Sequence, residues 1–187
     1  MLWDYAKAVV TALVFAFIFR ATVVGAFEIP SGSMLPTLQI GDRLLVDKLT
    51  YRFRKPERFE IIVFEDPMRP ERDLIKRIIA LPGETLEIRN RAVYINGKPL
   101  ADGIYAHHTD PAWDRVPLRD DYGPITVPPG SYFMMGDNRE NSADSRVWGF
   151  LEQDRIIGHA FVLYWSRNTE KRFPGEIRWE RFGKLLG

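Results

Sequence analysis

The sequence predicts a mostly β domain, an antiparallel sheet preceded by a single apolar N-terminal helix, and three observations predict it. Beyond residue 26 the chain breaks into short runs of β-branched and aromatic residues separated by Gly, Pro, Asn and Asp, the pattern of strands and turns. Asn96-Gly97 follows one of these runs, and that pair readily takes the positive φ angles of a type I′ hairpin turn. Ahead of residue 26, the stretch Ala8 to Phe19 reads AVVTALVFAFIF and carries no charge.

The N-terminal tract is read as a span from about Leu2 to Phe19. A spanning helix needs roughly 20 predominantly apolar residues, which this tract reaches if Asp4 and Lys7 lie at one interface or Arg20 reaches the other along its own stem. Two other readings compete on residues alone: a cleavable signal peptide, with Lys7 as its charged region and VGA at 24 to 26 as its cleavage site, and a buried core helix. Arg20 weighs against the signal peptide, because it interrupts the tract where such a segment stays apolar. Lys7 and Arg20 flank the tract almost symmetrically, so charge bias does not orient it. The domain organisation expected is therefore a membrane anchor over 1–20 and a β domain over 21–187.

Strands are expected at 43–49, 60–65, 73–81, 85–90, 92–95, 131–136 and 155–165. The Asn96-Gly97 turn requires adjacent antiparallel strands between residue 85 and about 100. From 99 to 129 the composition turns polar and rich in Pro and Asp, with little periodicity, and reads as a surface excursion inserted into the scaffold. The basic tail after residue 167 is expected to end in a short helix, its start delayed by Pro174 and Gly175.

Composition excludes several function classes. With 187 residues the chain suits one domain of ordinary size plus an anchor. The balance of 26 basic against 25 acidic residues provides no field that would draw it onto nucleic acid. There is no cysteine, hence no disulfide framework, no thiolate metal site and no thiol nucleophile.

The chemistry-bearing residues fall in three segments. EIPSGSMLPTLQIGD at 28–42 places Ser31 and Ser33 in a turn punctuated by Pro30, Gly32 and Pro36. A serine hydroxyl is a poor nucleophile until a base within hydrogen-bond reach takes its proton. The histidines are His107, His108 and His159, and the first two lie in the polar excursion, where a solvent-facing or satisfied role is the default reading. Lys76, in DLIKRIIALPGE, is the alternative base: strand alternation sends Lys76 and Arg77 to opposite faces and leaves one of them against the core. A buried lysine loses its proton more easily and becomes a neutral amine near neutral pH. On this segment alone, an edge-strand lysine reaching water by its stem remains open and is the blander reading.

The third segment, MMGDNRENSADSRVWGF at 134–150, follows a strand with a dense run of short polar side chains. Ser142 is suited to hydrogen-bond a lysine amine, while Asp137, Asp144, Arg139 and Arg146 can pair to hold the loop rigid. A solvated turn and a metal loop are the alternatives. The run lacks the spacing of a calcium loop, and its arginines would repel a cation.

Taken together and in order, PSGSMLPTL with the following GDRLLVDKL, then KRIIALPGE, then GDNRENSADSR resemble the sequence boxes of the type I signal peptidases. The resemblance runs from the anchor to the WSRN and GEIRWERFG stretches near the end. It implies Ser33 as nucleophile, Lys76 as general base, and Ser142 as the serine that orients the lysine. It also implies an Asp144–Arg146 ion pair, a second supporting pair of Asp137 with Arg77, and an oxyanion hole made by the Ser31 hydroxyl and the Ser33 N–H. A compact segment between Lys76 and Gly136, and one anchor where some members have two, are the departures.

The activity so implied is acyl transfer without a metal or organic cofactor: neutral Lys76 takes the Ser33 proton, Ser33 attacks the scissile carbonyl, and Lys76 later activates water. The implied substrates are exported preproteins with small residues, usually alanine, at the first and third positions before the cut, bound as an added strand. The implied location is the outer face of the cytoplasmic membrane, in contact with lipid. Ser33 is the fourteenth residue after Phe19, and at no more than about 3.5 Å per extended residue it stays near the bilayer. Two rivals stand beside this reading. One is a self-cleaving repressor-type Ser/Lys protease, which would carry a DNA-binding segment in place of the anchor. The other is a tethered β-domain that binds peptides without catalysis.

Overall fold

A computed structural model describes residues 3–12, 23–110, 116–169, 171 and 176–186. Residues 3–12 are helical and exposed along their length. No helix among the described residues is long and apolar enough to cross a membrane; half of the expected anchor at 1–20, residues 1–2 and 13–20, lies outside them.

Eleven strands follow among the described residues: β1 (Val24–Glu28), β2 (Asp42–Asp47), β3 (Ile61–Glu65), β4 (Asp73–Ala80), β5 (Thr85–Arg89), β6 (Ala92–Ile95), β7 (Lys98–Pro99), β8 (Tyr122–Thr126), β9 (Ser131–Met135), β10 (Leu151–Glu152) and β11 (Ile156–Ser166). They form a seven-stranded sheet ordered β1-β2-β11-β3-β4-β9-β10 and a four-stranded sheet ordered β7-β6-β5-β8. Every pairing between these strands is antiparallel. All seven expected strands are present, with no end moved by more than two residues.

Turn chemistry explains the small sheet. Asn96 and Gly97 have φ of 53° and 76° and join β6 to β7, as the Asn-Gly pair predicts. Asn90 and Arg91, with φ of 49° and 71°, make the tight turn from β5 to β6. Arginine in that conformation carries a steric cost that the paired strands override. The polar span 99–129 contains β8, which pairs with β5, so part of it belongs to the scaffold. Residues 179–181 of the tail form a single 3₁₀ turn.

Both faces of the central strands are covered. Ile61 and Val63 enter one buried cluster with Met34, Leu38, Leu44 and Leu163, while Ile62 and Phe64 enter another with Ile78, Tyr132 and Met134. This period of two on a continuously apolar strand is what burial on both faces requires. A third cluster, with Ile79, Phe133 and Met135 against Leu86, Ile88 and Val93, joins the two sheets. Fully buried Asp42 then ties three distant segments together. Its carboxylate accepts from Gln39 N at 2.7 Å, from Ser166 Oγ at 2.6 Å and from Arg181 Nε at 3.0 Å, so the segment after Ser33, the end of β11 and the C-terminal turn are fixed to one point.

Candidate active site

Ser33 lies in the turn between β1 and β2. That turn is pinned from below by the completely buried side chains of Met34 and Leu38. It is closed by Leu35 N donating to Gly32 O at 3.2 Å and Leu38 N donating to Met34 O at 2.9 Å. Apolar anchoring directly after Ser33 fixes the position of its hydroxyl.

Lys76 is carried by β4 opposite Ile62 of β3. Because that face is covered too, Lys76 is only 3% exposed, and Arg77 on the other face is 1% exposed. The sequence-based expectation that alternation would bury one of the two is exceeded: both are interior. Lys76 Nζ and Ser33 Oγ are hydrogen-bonded at 2.7 Å, and Nζ also donates to the Ile75 carbonyl at 3.0 Å. Burial pushes the Lys76 amine down from its ordinary value to about 8, with Asp144 opposing the shift. An amine with that value beside a hydroxyl can take its proton at mildly alkaline pH.

The loop after β9 braces this pair. Asp137, fully buried, receives both Arg77 Nε at 2.8 Å and Arg77 Nη2 at 2.7 Å, a bidentate ion pair, and Thr37 Oγ1 donates to its second oxygen at 2.5 Å. Asp144 accepts Arg146 Nε and Nη2, each at 2.8 Å, and Gly136 N at 3.0 Å. It also caps the helical turn Ser145–Trp148 through Arg146 N. Each of these two acids thus has its own arginine.

The predicted residues are distributed as follows. Ser33 and Lys76 meet. Asp137 with Arg77 and Asp144 with Arg146 form the two expected pairs. Ser142 lies beside Gly136 and the Ser33 carbonyl, and its buried hydroxyl has no hydrogen-bond partner among the described residues; the amine's bonds go instead to Ser33 and Ile75. Ser31 is exposed at the mouth of the turn. Arg139 reaches Asp102 of the polar excursion at 2.7 Å. His108 pairs with Glu140 at 2.6 Å and His159 lies edge-on to Tyr51, while the His107 backbone bridges to Asn138. Asn138 escaped sequence reasoning: its N–H donates to Ser33 O at 3.1 Å and its Nδ2 to Gly32 O at 3.1 Å. The only signal was its place in the polar run.

Gly136 permits this close approach. A Cβ at that position would overlap the Ser33 carbonyl oxygen and the Ser142 hydroxyl well inside van der Waals contact. Gly136→Ala is therefore expected to displace the Ser33 turn and lower kcat/KM about 100-fold or more. Near-native far-UV circular dichroism together with preprotein-cleavage kinetics would check it.

A buried amine bonded to a serine hydroxyl on a β scaffold is an arrangement suited to a serine endopeptidase. The sequence model of the family described as signal peptidase, peptidase S26, matches residues 2–165. The chain belongs to that family, and its activity is that of a signal peptidase I, which removes signal peptides from exported preproteins. A probable signal peptidase I-2 of Synechocystis sp. is 43% identical over 87% of this chain and 72% of its own length. A probable signal peptidase I-1 of the same organism is 41% identical over 98% of this chain and 90% of its own. The crystal structure of a signal peptidase I from Enterococcus faecalis V583 is 37% identical, with a TM-score of 0.45 over 57% of this chain and 97% of that one.

Proposed function

We propose that Ser33 is the nucleophile and Lys76 the general base of this peptidase, and the 2.7 Å contact between them inside a buried site carries the assignment. Neutral Lys76 takes the Ser33 proton as Oγ attacks the scissile carbonyl. The same amine returns that proton to the leaving nitrogen and then draws one from the water that releases the acyl group. The Ser31 hydroxyl and the Ser33 N–H receive the oxyanion. Ser142 serves to orient the amine when substrate is bound. Asp144 with Arg146, and Asp137 with Arg77, hold the loop against the turn. No metal or organic cofactor takes part.

The preferred substrates carry small residues at the first and third positions before the cut. They bind extended beside β1, which has no strand on its outer side among the described residues and runs directly into the Ser33 turn. Residues 1–20 anchor the chain in the cytoplasmic membrane, with 21–187 on its outer face. The short distance from anchor to nucleophile suits a substrate whose own apolar segment is held in the bilayer. Alkaline extraction of membranes tests the anchor: the full chain stays with lipid, and release into the supernatant defeats this part of the reading.

The pH dependence follows from the form of Lys76 that acts. The neutral amine is the base, so kcat/KM rises with pH and levels off above about 8; below that value it falls about tenfold per pH unit. A rate that stayed constant from pH 6 to 9 on a model preprotein would rule out a lysine base at this site.

A further inference from the structure

We propose that residues 102–107 of the polar excursion are a strap that positions the Ser33–Lys76 pair, with Tyr105 as its main positioning residue. The proposal rests on the dyad assignment above and goes beyond it, since it gives the excursion a part in the reaction.

Three contacts reach the loop after β9, and a fourth covers Arg77, the partner of that loop on β4. The His107 N–H donates to Asp137 O at 2.8 Å and the Arg139 N–H donates back to His107 O at 3.0 Å, so the strap forms a short parallel bridge centred on Asn138. The Asp102 carboxylate pairs with Arg139 at 2.7 Å, and both side chains are almost wholly buried. The Tyr105 ring covers the Arg77 guanidinium, 3.9 Å from carbon to ring centroid, and packs against Phe59 at 5.0 Å between centroids. Tyr105 N and Ala106 N each donate to Asp102 O at 2.8 Å, a turn that sets the carboxylate and the ring on the same side.

On its other flank the loop faces the Ser33 turn and the Lys76 strand through Asp137 and Asn138. Asp137 holds Arg77, the neighbour of Lys76 on β4, and also Thr37 from the Ser33 turn. Asn138 holds Ser33 O and Gly32 O. The loop is thus clamped between strap and nucleophile turn, and the Tyr105 ring closes the open face of the Arg77–Asp137 pair. A cation held against an aromatic face in a dry site is favoured over one reached by water. Removing the ring admits water beside a pair whose rigidity fixes where Ser33 and Lys76 meet. Burial is the main cause that depresses the Lys76 amine, and Asp144, Arg72, Asp66 and Asp137 are the charges around it, so water admitted beside the pair lets the amine rise toward its ordinary value.

The test uses the full chain in detergent with a model preprotein. Tyr105→Ala is expected to lower kcat 10- to 100-fold with KM changed less than about threefold, and to move the rising limb of the pH profile to higher pH, so that part of the loss returns at pH 10. Tyr105→Phe keeps the ring and stays within about twofold of wild type. Asp102→Asn, which preserves shape, shows a smaller loss of the same kind. Wild-type kcat and pH profile in Tyr105→Ala would overturn the strap, as would a loss that appears only in KM or only in thermal stability. Ser33→Ala in the same assay separates the two readings: activity retained there sinks the dyad, whereas an inactive Ser33→Ala beside an unaffected Tyr105→Ala sinks the strap alone.

Discussion

Ser33→Ala and Lys76→Met are each expected to reduce preprotein cleavage by at least about 10⁴-fold, the scale on which a nucleophile and its base fail when either is removed. The two losses should not add: Ser33→Ala/Lys76→Met should cleave no more slowly than either single variant, because the groups act as one unit. Stability separates Lys76→Met from a merely misfolded protein. The folded amine titrates at about 8, below its unfolded value of about 10.4. Between these pH values the unfolded chain binds more protons, so stability rises as pH climbs through the window, and below 8 the full cost of burying the ammonium is present. Methionine in the same space carries no such cost. Lys76→Met should therefore melt at or above the wild-type temperature at pH 7, and its advantage should shrink by pH 10. Thermal scans at both pH values check this, and a variant that is both inactive and strongly destabilised at pH 7 would remove the argument that the amine is there for chemistry.

Strand positions were legible because the forces that fix them are local. In β3 the run IIVF and in β9 the run SYFMM are apolar on both faces, and both strands proved buried on both faces. β1 and β8 were not legible, for different reasons. VGAFE follows the apolar tract without a break in composition, and its pairing with β2 is fixed by the closure of the Ser33 turn. YGPIT contains a glycine and a proline that weaken any strand signal, and it is held by its register with β5.

The same distinction governs the site. Ser33 and Lys76 could be singled out as candidates from a hydroxyl in a Pro/Gly-punctuated turn and a lysine in an apolar strand. The local pattern left an edge-strand lysine open, however, and only the resemblance of three segments in order favoured the pair. What braces them could not be read from local pattern, because the partners are far apart in the chain: Thr37 reaches Asp137 across 100 positions, and Asn138 reaches Gly32 across 106. Asp102 and Tyr105 sit in a stretch whose composition reads as solvent-exposed, yet Asp102 is buried. Its burial comes from Arg139, a partner that nothing in the local pattern identifies.

Among these braces the Arg77–Asp137 pair has the largest expected effect on stability. Its two side chains are 2% and 1% exposed, and the bond spans 60 positions, joining β4 to the loop after β9. The Asp144–Arg146 pair is equally buried but closes only a local turn. Arg77→Met would leave the Asp137 carboxylate in the interior with the Thr37 hydroxyl as its remaining side-chain donor. Asp137→Leu would leave a guanidinium held by the Phe59 carbonyl, at 2.6 Å, and by the Tyr105 ring. Removing one partner of such a pair costs about 3–5 kcal/mol, because the survivor is an uncompensated buried charge. Replacing both avoids that charge, so Arg77→Met/Asp137→Leu should lose clearly less than the sum of the single variants, with a coupling of about 2–3 kcal/mol. Denaturant unfolding of the four proteins in one detergent provides the cycle. Single variants within about 1 kcal/mol of wild type, or strict additivity, would mean that water reaches the pair and that the rigidity assigned to it arises elsewhere. If instead the double variant recovers stability but not cleavage, the pair serves the geometry around Ser33 and Lys76 rather than the fold. That is the outcome expected from its bond to the Ser33 turn, since an apolar side chain in place of Asp137 offers no carboxylate to receive the Thr37 hydroxyl.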